Sequence, residues 1–291
     1  MALTDEEKLD QAVAWLRDAD ALLITAGAGM GVDSGLPAFR GRHGLWKAWP
    51  ALKHLNMDFA RISTEIAIRK APRLAWGFHG YLLQCFRGTH PHKGFQILLH
   101  WARQMEQGYF VFTSNVDGAF QKAGYDRERI MECHGSLHYL QCIDGCDAAI
   151  WPADDFQPVI EMARCQLLSN LPTCPRCGQV ARPNMLLFDD PRWIDTTLAR
   201  QREHWTRWRA RLRNPVVVEL GAGKAIPTVR HFSEQMGRRI IRINPHDFRI
   251  ASYRGVGLAG PALGTLQALD ARLNARQSDA ATGFRHGREI K

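Results

Sequence analysis

The sequence has no apolar run near the roughly 18 residues that a membrane-spanning helix needs. Its best candidates, ALLITAGAG from Ala21 and VVVELGAG from Val216, are of strand length, which argues against a membrane protein. A secretory leader is not expected either: MALTDEEKLD is acidic where a leader is basic and then apolar. The chain is therefore expected in the cytoplasm. Internal repeats are absent, and the only biased stretch is a polar tail from about Gln277 to Lys291, expected to be poorly ordered. Seven cysteines, an odd number, do not make a fully paired disulfide framework. In a reducing compartment, clustered thiols more often bind metal or do chemistry.

What is present suits a globular protein. With 291 residues, 45% hydrophobic and 23% charged, the chain is long enough for one large or two modest domains, and a disordered or fibrous protein is excluded. Thirty-eight Lys and Arg against 29 Asp and Glu leave a net charge of +9, favouring acidic partners such as phosphates, nucleic acid or acidic protein surfaces. Six arginines fall within Arg200–Arg213. Trp205, Trp208 and Leu212 recur there at helical spacing, so the segment reads as an amphipathic helix with a solvated basic face, nucleic-acid binding being the alternative.

Leu9, Val13 and Leu16 place a helix over residues 5–18, capped by Thr4 and its downstream glutamates. Short apolar runs at Ala21–Thr25, Tyr109–Thr113, Ile130–Cys133, Met185–Phe188, Pro215–Leu220 and Arg239–Ile243 alternate with helical patterns. Such alternation predicts an α/β fold with a mostly parallel sheet covered on both faces. Residues 42–88, rich in Trp, His and Arg, and 137–182, holding five cysteines, break the alternation and read as insertions that build a smaller second domain.

Two features carry chemistry. The strand at Ala21 runs into Gly27, Gly29 and Gly31 before an expected helix start, where freed N–H groups can bind a pyrophosphate. By itself that is a weak signal, since many such turns are merely tight. No acidic residue follows about 20 positions on as a ribose ligand, which disfavours a hydride-transfer enzyme. Cys142-x3-Cys146 and Cys174-x2-Cys177 are two close pairs that can present four thiolates tetrahedrally to Zn2+. Four thiolates close the coordination sphere, so the metal is assigned to folding. Cys85, Cys133 and Cys165 lie outside the pattern and read as inert thiols.

GAGMGVDSGLPAFRG, then TSNVDGAFQKAG from Thr113, CHGS from Cys133, the paired cysteines and RPNMLLF from Arg182 stand in an order that resembles the sirtuins, NAD-dependent protein-lysine deacylases. The resemblance covers roughly Ala21 to Asn244. It implies a Rossmann-like large domain (1–41, 89–136 and 183–265) and a small domain made of a helical insertion (42–88) and a zinc ribbon (137–182), with residues 266–291 as a C-terminal helix and tail. It places NAD and an acyl-lysine protein or peptide in a cleft between the domains. By the same resemblance Ala26, Gly27, Ala28 and Arg40 hold the NAD phosphates and ribose, and Phe39 covers the reacting face. Asn115 and Asp117 line the pocket for the nicotinamide ribose and carboxamide, and Asn115 and His134 are the catalytic residues, His134 as general base. Asn244 matches the position that meets the adenosine ribose.

Three departures bear on substrate. Where the family has Gly-Thr-Ser the chain has Gly221-Ala222-Gly223, followed by Lys224, leaving backbone N–H groups from Gly221 onward and a lysine to meet phosphate. Where it has Phe-Gly-Glu, on a segment resembling the one that pairs with the substrate peptide, the chain has Phe188-Asp189-Asp190, which points to basic peptides or away from the usual peptide altogether. In the helical insertion, His79 and Leu82 stand where dicarboxyl-acyl-selective sirtuins place Tyr and Arg, so a neutral acyl group is expected. The competing functions are a sirtuin-like ADP-ribosyltransferase or NAD glycohydrolase and, from another class, a nucleic-acid-binding module.

Overall fold

The computed structural model describes residues 3–37 and 49–286, with side chains up to Ala275. Phe39 and Arg40 lie outside the described residues. The first helix, Asp5–Asp18, forms where its cap predicts: Glu7 N–H donates to Thr4 Oγ1 at 3.2 Å and Thr4 N–H to Glu7 Oε2 at 2.7 Å.

Among the described residues the strands are β1 (Leu22–Ala26), β2 (Tyr109–Thr113), β3 (Ile130–Glu132), β4 (Gly135–Cys142), β5 (Ile150–Pro152), β6 (Ile160–Glu161), β7 (Gln166–Leu167), β8 (Ala181–Met185), β9 (Val216–Leu220), β10 (Ile240–Ile243) and β11 (Gly255–Leu258). Six form one sheet in the order β11-β10-β9-β1-β2-β3. Leu22 faces Val216, Ile240 faces Val217 and Gly255 faces Ile240, all in parallel. Every residue of β1, β2, β9 and β10 is buried, as a sheet covered on both faces demands. From β1 the chain steps to β2 and β3 in one direction; from β9 it steps to β10 and β11 in the other. That reversal is the Rossmann order, and it puts the ligand crevice beyond the carboxyl ends of β1 and β9.

Two expectations need correcting. No strand covers Met185–Phe188; β8 ends at Met185 and pairs antiparallel with β4, outside the parallel sheet. Pro183, which cannot donate to a ladder, is tolerated because β8 is an edge strand. Conversely β11, GVGL, is a strand that its glycines concealed. A Cβ on Gly255 would lie 2.0 Å from Ile240 O and one on Gly257 2.1 Å from Phe248 O, so close backbone approach requires both glycines.

By compactness the chain divides into two units, one formed by residues up to Asp33, Pro91–Phe112 and Trp205 onward, the other by Ser34–His90 and Thr113–His204. The second thus takes 113–136 and 183–204 together with the insertions. In the first, the helix Ala262–His286 buries Leu266, Leu269 and Leu273 and is fastened by Trp101 Nε1 to Asp270 Oδ1 (2.8 Å) and Arg272 Nη1 to Asp10 Oδ1 (3.0 Å). It continues well past Gln277, where the tail was expected to begin; alanines and the absence of proline let it run on. Trp205 and Trp208, from the helix Thr196–Arg209, pack on Phe110 at 5.3 and 5.6 Å while Arg207 and Arg209 stay exposed in its last turn, as the amphipathic reading expects. The dipole favours cations there.

The second unit is stitched differently. Helices Pro50–His54, Phe59–Ile62, Glu65–Lys70 and Pro72–Gly88 bury Leu52, Ile62, Trp76 and Phe78 with Leu137 and Leu140 of β4. Trp76 Nε1 donates to Ala181 O at 3.0 Å. Arg182 and Asp190, both with wholly buried side chains, form an ion pair, and Asp190 also accepts the Leu187 N–H at 3.1 Å.

Candidate active site

Beyond β1 and β9 two glycine turns interlock. A Cβ on Gly29 would come within 2.6 Å of Gly221 Cα, and one on Gly27 within 2.9 Å of Ala222 Cα. Gly221 adopts φ +59°, and Gly29 N–H donates to its carbonyl at 3.1 Å. The glycines are thus demanded by turn-on-turn packing as well as by any ligand. Buried Arg230 gathers the second turn's carbonyls: its Nε and Nη2 donate to Ala222 O at 3.2 and 3.0 Å, and Nε also to Gly223 O at 3.2 Å. Asn244 Nδ2 donates to the same Ala222 carbonyl, and Asn244 Oδ1 takes the His246 and Asp247 N–H groups. With those carbonyls turned inward, the turn fits an anionic group at its outer face; a Cβ on Gly223 would meet nothing within 4 Å, so the approach is open. Lys224 stands beside it, exposed and paired with Asp247 at 3.2 Å.

In the second unit, His134 occupies the turn between β3 and β4, its backbone pinned on both sides. Cys133 N–H donates to Thr113 O and Leu186 N–H to His134 O, each at 2.9 Å. Gly135 follows at φ +71°, where a Cβ would lie 2.3 Å from Asn184 O. The half-buried imidazole has its pKa lowered by burial, against a hydrogen bond with the Ser114 backbone. Ser114 opens the loop bearing Asn115 and Asp117, so the hydrogen bond ties His134 to the start of that loop. Asn115 N–H donates to Thr113 Oγ1 at 3.0 Å, and Asp117 Oδ1 takes the Ala119 N–H at 2.9 Å. Burial raises the Asp117 pKa and lifts that of Glu132 to about 7, the latter opposed by Gln121. A cavity of about 1030 Å3 in this unit is lined by Asp117, Glu132, Ser136, His138, Arg127 and Arg200 among others.

The sulfurs of Cys142, Cys146, Cys174 and Cys177 all lie within 4.8 Å of one another, with 3.6 Å between Cys142 and Cys177 and between Cys146 and Cys174. Tetrahedral zinc at about 2.3 Å from each sulfur spaces them by about 3.8 Å, so the quartet fits the ion. Gly145 and Gly178 take φ +61° and +72° in the two knuckle turns. Burial pushes the Cys133 and Cys165 thiols up to about 12, which leaves them inert near neutrality.

Profile comparison matches residues 27–204 to the Sir2 family. The chain belongs to the Sir2 family. An NAD-dependent protein deacylase of Aeropyrum pernix is 29% identical to it over 236 residues, which cover 79% of this chain and 82% of that one. A probable bifunctional ADP-ribose hydrolase/ADP-ribosyltransferase of Fusarium oxysporum f. sp. cubense is 30% identical over 240 residues, covering 78% of this chain and 39% of that protein. A Sir2 homologue solved as its NAD complex superposes with a TM-score of 0.68 at 22% identity, over 94% of this chain and 96% of the other, and so shares the fold.

On this Sir2 chain Phe188 and Asp189, expected to meet the peptide, follow the end of β8. Phe188 N–H donates to Ser63 O at 3.0 Å, Phe188 forms a parallel bridge with Thr64, and its ring meets Phe59 at 6.0 Å. Asp189 is exposed at φ +51°, the left-handed backbone that the usual glycine adopts freely. Asp190 is occupied by Arg182, so of the acidic pair only Asp189 faces outward. His79 and Leu82 lie on the buried face of the helix Pro72–Gly88. Burial, then the charge of Arg182, pulls His79 down to about 3, leaving it neutral among Trp76 and Phe78. Arg230 and the Arg182–Asp190 pair escaped sequence reasoning; an arginine eight residues past a glycine turn is too common a pattern to single out.

Proposed function

We propose that this Sir2 protein is a cytoplasmic NAD-dependent deacylase that removes a neutral acyl group, acetyl above all, from protein lysine, yielding nicotinamide and O-acyl-ADP-ribose. The observation that carries it is the half-buried, neutral His134 bonded to the loop of Asn115 and Asp117. NAD supplies a nicotinamide that departs as a neutral molecule, which makes the ribose C1′ electrophilic towards an acyl oxygen held in line. The backbone pins around His134 and Asn115 hold those side chains in place without reorganisation. With its pKa lowered by burial, the His134 ring keeps a free nitrogen at neutral pH and takes the proton from a ribose hydroxyl. Ala26, Gly27, Ala28, Gly221 and Asn244 are assigned to the phosphates and adenosine ribose, and by the resemblance Phe39 and Arg40 join them. Phe188 and Asp189 are assigned to the peptide, His79 and Leu82 to the acyl group. Arg182, the charge that His79 feels, is consumed by Asp190, so a succinyl or malonyl carboxylate finds no partner there.

ADP-ribosyl transfer is the second possibility, favoured by the likeness to the Fusarium protein. Incubation with NAD and an acetyl-lysine peptide separates the two: free lysine with equal acyl-ADP-ribose supports deacylation, whereas nicotinamide release without peptide supports transfer or hydrolysis. His134→Ala is expected to abolish turnover while NAD binding survives. The acid limb of kcat/KM is expected below the ordinary histidine value of 6.5, since burial lowers the pKa of the base. A limb above that value removes His134 from the role. Nucleic-acid binding through Arg207, Arg209, Arg211 and Arg213 would show as DNA affinity falling steeply with salt, unaffected by His134→Ala.

A further inference from the structure

Four polar ties are among those that hold the loop Asn115–Asp117. Three of them are made by Thr113 Oγ1 to the Asn115 N–H, by Leu137 N–H to the Val116 carbonyl at 3.0 Å, and by Ala119 N–H to the Asp117 carboxylate. The fourth is the His138 side chain, whose Nε2 lies 2.9 Å from the Asp117 carbonyl oxygen. A carbonyl oxygen only accepts, so the imidazole donates, and its tautomer is fixed with hydrogen on Nε2. The ring is seated against Gly118 at φ +67°, where a Cβ would lie 3.0 Å from His138 Cδ2. The His138 backbone is anchored by Ala153 N–H, which donates to the His138 carbonyl at 2.8 Å. Burial, and then the charges of Arg87 and Lys122, keep the ring neutral against the Asp117 carbonyl and Asp154.

Leu137 and His138 are consecutive residues of β4, the strand that begins just after His134. One short stretch therefore carries the base at its start and, four residues on, clamps the carbonyls of the loop assigned to the nicotinamide ribose. We propose that His138 is a positioning residue: by donating Nε2–H to the Asp117 carbonyl it sets the orientation of Asn115 and Asp117 relative to His134, and thereby controls the nicotinamide-releasing step without touching the reacting atoms. Gly118 is part of the same device, because a Cβ there would press on the imidazole at 3.0 Å and shift it by a few tenths of an ångström. This rests on the deacylase reading for the identity of the step, while the hydrogen bond itself does not.

The decisive pair is His138→Phe, which keeps a ring but no donor, and His138→Gln, whose amide nitrogen stands about where Nε2 does. Exchange of labelled nicotinamide into NAD with an acetyl-lysine peptide reads the step directly. The Phe variant is expected to lose about tenfold or more in exchange rate with the peptide KM unchanged, and the Gln variant to stay within about threefold of the wild type, since only the Phe variant takes the donor from the part-buried Asp117 carbonyl. Exchange in His138→Phe equal to the wild type, or an equal loss in both variants, overturns the proposal. Nitrogen-15 NMR of the unmodified protein supplies a readout that needs neither variant to fold: hydrogen on Nε2 is expected, and hydrogen on Nδ1 overturns it. If the wild-type protein exchanges no nicotinamide, the deacylase reading has failed, and the tautomer still judges the role of His138.

Discussion

The two compact units reach stability by opposite routes. In the first, contiguous and mostly apolar strands bury every residue of β1, β9 and β10, so most of the cohesion is spread over many interchangeable contacts. In the second, a few bonds that tolerate no substitute, four thiols, the Arg182–Asp190 pair and the pinned turn at His134, tie together short helices and strands. Distributed cohesion degrades gradually, whereas concentrated cohesion fails at single residues.

The largest expected effect is therefore on the second unit alone. Chelation, or Cys142→Ser, removes a metal whose binding supplies on the order of 10 kcal/mol to structural sites, and hydrogen exchange is expected to show β4 and β5 unprotected while β1 and β9 keep their protection. Simultaneous loss in both would dissolve the distinction between the units. Next, Asp190→Asn strands the buried Arg182 and should cost about 3–5 kcal/mol in denaturant unfolding. Burial raises the pKa of Asp190, but the Arg182 guanidinium outweighs it and holds the carboxyl below its usual range. That stabilisation is present above the ordinary aspartate value and disappears as pH falls through the lowered one.

Glu132 sharpens the comparison from the other direction. Burial raises its pKa from 4.5 to about 7, so the folded state is favoured fully below 4.5 and loses that advantage as pH climbs through 7. Glu132→Gln should flatten this slope, worth about 3 kcal/mol across the window, in thermal midpoints measured from pH 4 to 8. An unchanged slope would mean that the cavity solvates the carboxylate. Smallest is Gly29→Ala in the first unit. Its Cβ would come within 2.6 Å of Gly221 Cα, and relief by backbone shift is expected to cost about 1–3 kcal/mol and to weaken NAD binding measured by calorimetry.

Legibility follows the same division. β1, β2, β9 and β10 could be read because wholly buried strands are predominantly apolar, and the zinc cysteines because both members of each pair are local. β11 was hidden by Gly255 and Gly257, whose reason for being glycine, the carbonyls of Ile240 and Phe248, lies in other segments. Glu219 and Arg242 face each other in register on β9 and β10, a buried pair that only the sheet brings together. His138 looked like any other histidine, because its partner Asp117 is 21 residues away. The family motif located His134 and the loop, but not what holds the loop in place.

The pairing of Leu22 with Val216 has a consequence for how the protein is made. At ribosomal speeds of about 5–20 residues per second, LLITA waits roughly 10–40 s after leaving the exit tunnel before its parallel neighbour exists. Over that interval a pentamer with four apolar residues out of five has no native strand on its β9 side. The nascent chain is then most exposed to aggregation, and slowing translation after the second unit should lower the soluble yield more than slowing it before.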